Sequence, residues 1–436
     1  MLKAGIGKVR ITPSVGVPLA GFAARKDVSQ GTHDELYARA LVLENGETAL
    51  ALVSVDLLAL PAEFVERVRG TVAQRTPVNS GAILIASTHT HAGPVTISTF
   101  FNPDETVDPQ YMEGLAEAIA ESVVSAWQSR FDARAGVGSG HIEGLGVNRR
   151  SADRRPVDEE VGIVRVDDTG GRTRAVLMNY SCHPTVLGPD NLLVTGDFPA
   201  AALERVESAL NAGAFAMFVN GTQGDISVGH SSELSAIGVI TPGRTFERAA
   251  ELGRRLGDAV IEALNGIVTS GDLRLGWQIL SVDLPLKRYS SPEEIERAIR
   301  EAEDKVKRLE SHPASAEYRQ SKSELLYCSI TRFYAQEAAK FPNGGRPIRL
   351  QGLSIGNAVF VAVPAEVFVE IGLRVKQSAP QRTFMIGIAN GYIGYLPSRV
   401  AHESGGYEVV SSGCAPEAED RLVEGVMELE RRLAGQ

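Results

Sequence analysis

Residues 82–94 have the sequence Ala-Ile-Leu-Ile-Ala-Ser-Thr-His-Thr-His-Ala-Gly-Pro. The five apolar residues at the start predict a short strand that is buried on both faces, and the Gly-Pro pair predicts a turn after it. Side chains two residues apart on a strand share a face, so His89 and His91 can point into one pocket at the strand end. Neutral imidazole is a good zinc ligand. By itself the pattern fits a metal site, a pair of structural histidines or an acid/base pair without a metal.

Similar apolar or β-branched runs recur along the chain and alternate with helical patterns. Strands are predicted at residues 49–55, 82–86, 162–166, 175–180, 216–219, 275–282, 358–363 and 384–388. Apolar residues at three-to-four spacing predict helices at 109–130, 244–264 and 416–433. This mixture predicts an α/β fold in which mixed β-sheets are flanked by helices.

Residues 290–341 form a long, charged and helix-favouring segment within this pattern. Ser291-Pro292-Glu293-Glu294 is a typical helix start, and Pro313 is expected to separate two helices. We therefore expect a helical hairpin at 290–341, inserted into a single domain that spans residues 1–436. Such a hairpin either covers a sheet face or serves as a lid over an active site, and we favour the first role.

The composition excludes several classes of function. The net charge is −10 with an isoelectric point near 5.5, and the basic residues are dispersed, which argues against a nucleic-acid partner. Cys182, Cys328 and Cys414 are far apart and lack Cys-x-x-Cys spacing, so neither a disulfide framework nor a thiolate zinc site is indicated. With no apolar leader or membrane span in the sequence, we expect a cytoplasmic protein without stable membrane association. No oligomeric state is predicted.

Three further apolar runs each lead into a polar residue of chemical interest. The run at 175–180 is followed by His183, the run at 358–363 by Glu366, and the run at 384–388 by Tyr395. Strand ends are where α/β proteins build their sites. Taken singly, Glu366 could complement a helix N-terminus and Tyr395 could pack at the edge of the core.

Together these elements resemble the catalytic domain of the neutral, non-lysosomal ceramidase family. The resemblance rests on four ordered motifs, which are His-Thr-His-x-Gly-Pro at 89–94, His-Pro-Thr at 183–185, Pro-x-Glu at 364–366 and Asn-x-Tyr-x-x-Tyr at 390–395. Further landmarks are Ile11-Thr12-Pro13, Gly21-Phe22, Asp56, Asn148-Arg149 and Gln223-Gly224-Asp225-Ile226-Ser227. The resemblance covers nearly the whole chain and implies this catalytic domain without the family's carboxy-terminal immunoglobulin-like domain.

The resemblance also implies the site residues. The zinc ligands, for one Zn²⁺ per chain, would be His89, His183, Glu366 and Tyr395. His91 would be the acid/base histidine, while Arg149 and Tyr407 would donate hydrogen bonds to a developing oxyanion. Asp225 would either support a ligating histidine or hold a turn, and a second structural divalent ion is left open.

The implied activity is hydrolysis of an amide (N-acyl) bond by metal-activated water. Ala92 stands where the family usually has serine, and Val228-Gly229 stands where it usually has Pro-Asn. The following stretch is also short, so we expect a small-molecule substrate that is smaller and more soluble than ceramide. The alternatives are a zinc-dependent esterase or lactonase, and a non-catalytic metal-containing binding protein of the same fold.

Overall fold

The computed structural model describes residues 1–102, 106–210 and 213–435. The strands are β1 Lys3–Arg10, β2 Gly31–Thr32, β3 Tyr37–Glu44, β4 Ala49–Val55, β5 Ile83–Ser87, β6 Phe131–His141, β7 Val147–Asn148, β8 Glu160–Asp168, β9 Thr173–Tyr180, β10 Leu193–Val194, β11 Phe215–Asn220, β12 Ile226–Ser227, β13 Leu275–Pro285, β14 Gly345–Ile355, β15 Ala358–Ala362, β16 Glu366–Val367, β17 Arg382–Ile386 and β18 Tyr395–Leu396.

The helices alternate with these strands along most of the chain. They are α1 Ala62–Arg75, α2 Pro109–Gln128, α3 Asp197–Ala209, α4 Ser232–Ala236, α5 Phe246–Leu264, α6 Pro292–Leu309, α7 Ala316–Ala339, α8 Val369–Ser378, α9 Arg399–Ser404, α10 Tyr407–Val410 and α11 Ala418–Ala434. The predicted α/β fold with mixed sheets flanked by helices is confirmed. Within the described residues, no helix combines the length and apolar character needed to cross a lipid bilayer.

Two sheets carry the architecture. The larger has eight strands in the order β11-β9-β8-β6-β1-β3-β4-β5, and its two ends are parallel pairs, β4 with β5 and β9 with β11. The smaller has four strands in the order β13-β14-β15-β17, in which β15 and β17 are parallel. All five residues of β5 and of β15 are buried, as their apolar sequences require.

The two sheets share one apolar core, which places their strand ends side by side. Ile83 and Leu52 of the large sheet belong to the same buried cluster as Phe360 and Phe384 of the small sheet. The chain after β17 joins the sheets directly, because Ser87 N donates to Ile388 O at 3.1 Å and Gly387 N donates to Asn220 O at 3.1 Å. The ends of β5, β11 and β17 therefore meet at one place.

The segment at 290–341 connects two neighbouring strands. β13 and β14 pair in antiparallel register from Leu275 opposite Ile355 to Pro285 opposite Gly345, and helices α6 and α7 lie between them in sequence. Helix α6 begins with a capping box in which Ser291 and Glu294 bond each other's backbone amides. The two helices pack against each other, so this connection is a helical hairpin.

Candidate metal centre

His89 lies in a tight bend just after β5. The strand ends at Ser87, and His89 has a φ of 71°, which an L-residue adopts only when its surroundings hold it there. Its backbone N donates to Leu57 O at 2.9 Å, and its ring Nδ1 lies 2.8 Å from Leu58 O. The expectation that strand alternation aligns His89 with His91 is therefore wrong, since both residues follow the strand. The bend still brings the rings together, with centroids 4.9 Å apart.

His183 follows β9 and is held by the turn that precedes β12. Its Nδ1 lies 2.7 Å from Gln223 O and 3.0 Å from Ile226 O. Asp225 shapes this turn, because its carboxylate accepts from Asn148 Nδ2 at 2.7 Å and from Val369 N at 2.9 Å. Of its two expected roles, Asp225 therefore takes the one of holding the turn, and backbone carbonyls orient the histidine.

The Glu366 carboxylate contacts both His89 and His183. Its Oε2 lies 2.8 Å from His183 Nε2 and 3.3 Å from His89 Nε2, and all three side chains are at most 2% exposed. The other carboxylate oxygen accepts from Tyr392 Oη at 2.5 Å. Strands β16 and β18 pair Glu366 directly with Tyr395, which places the phenol beside the carboxylate.

These contacts fit a divalent metal. Because each Nδ1 faces a backbone carbonyl, it carries the ring hydrogen, and the Nε2 lone pairs of His89 and His183 point at a carboxylate. Burial, together with Arg149, lowers the pKa of His183 to about 4. Burial disfavours an ionised Glu366 carboxylate, so its charge needs a positive partner at this position. A neutral imidazole and an ionised carboxylate are the forms that bind metal, and a cation is needed between them.

His91 completes a cluster of three imidazoles. The ligand atoms of His89, His91 and His183 all lie within 4.8 Å of one another. Three buried nitrogen atoms of this cluster have no hydrogen-bond partner among the described residues. They are both ring nitrogens of His91 and the Nε2 of His89. Burial and the two neighbouring histidines hold the pKa of His91 well below its usual value. The ring is therefore a neutral imidazole with an uncommitted lone pair at the site.

Gly21 provides the space for the His91 ring. A Cβ atom at this position would lie 2.4 Å from His91 Cγ, and the φ of 99° is itself in the region that favours glycine. The edge of the Phe22 ring supports the same imidazole, with centroids 4.9 Å apart. The early Gly-Phe pair is thus a direct support of the site.

We expect Gly21→Ala to displace His91 and to lower kcat at least about tenfold, because a small misplacement of a reacting group is costly. The strained backbone should also lower the free energy of unfolding by about 1–3 kcal/mol. Steady-state kinetics and thermal unfolding check both effects. The matched control is Gly16→Ala, since Gly16 also has a positive φ, of 97°, but has open space around its Cβ position. Equal kinetic losses in both variants would contradict the assigned role.

Arg149, Tyr395 and Tyr407 form a contiguous group beside His183. Arg149 Nη2 donates to Tyr395 Oη at 3.1 Å and to Gly224 O at 2.9 Å, while its Nε donates to Glu408 at 2.7 Å. The Tyr395 ring lies 6.4 Å from the His183 ring and 6.3 Å from the Tyr407 ring. The structure thus brings all seven expected site residues together. Tyr392 and Glu408 were not singled out in the sequence, although Tyr392 lies within the Asn-x-Tyr-x-x-Tyr motif and Glu408 directly follows Tyr407.

A cavity of about 870 Å³ leads to these residues. His89, His91, Glu366, Tyr395 and Tyr407 all border it. Much of its wall is apolar, formed by Leu58, Ile97, Phe100, Phe101, Val107, Met112, Phe333, Phe341 and Ile393. Two of these, Phe333 and Phe341, come from helix α7 and the loop after it, so the hairpin forms part of the wall.

An α/β fold that gathers buried imidazoles and a carboxylate at its strand ends has the architecture of a metal-dependent hydrolase. Residues 2–232 match the family model for the N-terminal part of the neutral/alkaline non-lysosomal ceramidases. The chain belongs to this family and is a hydrolase.

Individual relatives agree with the family assignment. A neutral ceramidase of Mycobacterium tuberculosis is 24% identical, over 91% of this chain and 71% of its own length. One of Drosophila melanogaster is 23% identical, over 95% of this chain and 72% of its own. The crystal structure of neutral ceramidase from Pseudomonas aeruginosa has a TM-score of 0.76 at 17% sequence identity, covering 99% of this chain and 75% of that one. The last comparison shows the shared fold.

Proposed function

We propose that the protein is a zinc-dependent amidase that hydrolyses an N-acyl bond. The observation that carries this proposal is the convergence of two imidazole Nε2 atoms on the buried Glu366 carboxylate, at 2.8 and 3.3 Å, beside a cavity whose wall is partly apolar. The proposed ligands are His89, His183, Glu366 and Tyr395. A zinc ion held there supplies Lewis-acid activation of water and of the amide carbonyl.

The side chains around the ligands divide the remaining work. His91, which is neutral and has no hydrogen-bond partner within the described part of the chain, accepts a proton from the attacking water on a ring nitrogen and delivers it to the leaving nitrogen. Tyr392 and the Leu58 and Gln223 carbonyls hold the ligands in place. Arg149 is bound to Glu408 through Nε and to Tyr395 through Nη2. It therefore stabilises the oxyanion by its positive charge and by a hydrogen bond from its remaining nitrogen, Nη1.

We expect Tyr407→Phe to lower kcat by about 100-fold while changing KM by less than about threefold, because loss of one oxyanion donor typically costs ~3 kcal/mol in the transition state. The phenyl ring keeps the packing against Tyr395, so the fold should be retained. Steady-state kinetics on one N-acyl substrate measure both constants. Tyr318→Phe, on helix α7, is a matched control expected to retain full turnover. An unchanged kcat in Tyr407→Phe would remove this residue from the mechanism.

The apolar part of the cavity wall favours a substrate with one apolar acyl chain. We propose a soluble single-chain N-acyl amide, smaller than ceramide, whose chain lies along the wall formed by Phe100, Phe333 and their neighbours. Each methylene that becomes buried there can contribute up to ~0.8 kcal/mol, or about fourfold in kcat/KM. We further propose a cytoplasmic location, in line with three cysteines that are all free thiols.

The test is a panel of N-acyl amides of increasing chain length, with matching esters and lactones. We expect kcat/KM to rise with chain length on amides and to exceed the value on the corresponding esters once intrinsic reactivity is taken into account. Turnover confined to esters or lactones would support the esterase alternative. Hydrolysis of ceramide with greater kcat/KM than any single-chain amide would contradict the proposed substrate size.

A further inference from the structure

The carboxylate of Glu408 is buried between two guanidinium groups. It is 3% exposed, and it accepts from Arg149 Nε at 2.7 Å and from Arg150 Nη1 at 2.8 Å. Ser232 Oγ donates to the same oxygen as Arg149. A buried charge is stable only when it is paired in this way, so the group is held firmly in one position.

Arg149 connects this carboxylate to the metal centre. Its guanidinium is a planar fork, and fixing the Nε edge fixes the direction of the Nη2 atom. With Nε bound to Glu408, Nη2 reaches Tyr395 Oη at 3.1 Å and Gly224 O at 2.9 Å. The backbone of Arg149 is also tied to the turn that orients His183, because its N donates to Asp225 O at 2.9 Å.

Arg150 fixes the other side of the same carboxylate. Its Nη2 donates to Gly405 O at 2.6 Å, and a Cβ on Gly406, whose φ is 92°, would lie 3.0 Å from its Nη1. The bond to Gly405 O places Arg150 at the start of helix α10, where Tyr407 and Glu408 are adjacent. Arg150 therefore also holds Glu408 through contacts that do not involve Arg149.

We propose that Glu408 is a positioning residue that aims the Arg149 guanidinium at the Tyr395 hydroxyl and thereby supports turnover. The effect on turnover rests on the proposed amidase function, in which Tyr395 is a ligand. Glu408 itself acts only through Arg149. Its removal should therefore matter only while Arg149 is present.

A double-mutant cycle tests this dependence. Glu408→Gln should lower kcat at least about tenfold in the native background and less than about twofold in the Arg149→Ala background, with KM nearly unchanged in both. Ser232→Ala, which removes a neutral bond to the same carboxylate, should lower kcat less than about threefold. Equal losses in both backgrounds, or a Ser232→Ala loss as large as that of Glu408→Gln, would overturn the proposal. If Glu408→Gln does not fold, Glu408→Asp keeps the charge but shortens the side chain, and the same dependence on Arg149 is expected.

Crystal structures of the native chain and of Glu408→Gln (or Glu408→Asp, if the glutamine variant does not fold) provide a readout that needs no activity. We expect Arg149 to have turned away from Tyr395 in the variant, while His89 and His183 keep their carbonyl contacts. An unmoved Arg149 overturns the positioning role whatever the substrate. A native chain that hydrolyses no N-acyl amide would instead remove the proposed function and leave the structural comparison to decide the role of Glu408.

Discussion

Substituting alanine for His183 should remove the bound metal and lower kcat/KM at least about a thousandfold, a loss of ~4 kcal/mol in transition-state stabilisation. The ring is fully buried, and its Nδ1 is already bound to the Gln223 and Ile226 carbonyls, so its Nε2 is directed at the site without freedom to turn away. Loss of one ligand therefore removes both the metal and its chemistry.

The measurement is elemental mass spectrometry on native protein, His183→Ala and Glu366→Gln prepared identically. About one zinc per chain in the native protein and strongly reduced zinc in both variants is the expected result. His141→Ala, which removes a surface imidazole whose side chain is 68% exposed, is the control and should keep the metal. Zinc contents equal to native in both site variants would contradict the ligand set. A native chain that takes up no divalent metal would remove the mechanism.

Substituting asparagine for His91 should lower kcat by about 100- to 10,000-fold while leaving the zinc content unchanged, because general acid/base catalysis contributes a factor of that size. Both ring nitrogens of His91 lack partners among the described residues, so asparagine breaks no hydrogen bond within the protein. Its smaller side chain also fits beside Gly21, where space is tight. The fold should therefore be retained, and the loss should be confined to turnover.

Metal content decides between two roles for His91, since its ligand atoms lie within 4.8 Å of those of His89 and His183. Zinc retained with turnover lost assigns the proton-transfer role. Zinc lost, as in His183→Ala, would make His91 a third imidazole ligand and leave proton transfer to another group. His230→Asn is the control, because His230 is a partly buried imidazole near His91 that bonds Thr241 Oγ1 at 2.8 Å. It should retain both zinc and turnover.

Much of the architecture could be predicted from local patterns. The apolar run before His89 became a fully buried strand, and the helix predicted at 109–130 is α2, which Asp108 caps by accepting from two backbone amides. The hairpin start at Ser291 is a capping box, as its spacing indicates. These features depend on residues close in sequence, so hydrophobic period and capping chemistry are enough to find them.

The sequence by itself determined the α/β class and the four motifs that supply His89, His183, Glu366 and Tyr395. Only the tertiary structure decided how these four residues are arranged relative to one another. Glu366 meets His183 because two sheets share a core and their strand ends meet, a contact across 183 positions of sequence. The tautomers are set by the carbonyls of Leu58 and Gln223, and every residue type has a carbonyl, so no sequence pattern marks these two. Long-range register and backbone direction, which residue identity does not specify locally, brought these four strand ends together at the candidate metal centre.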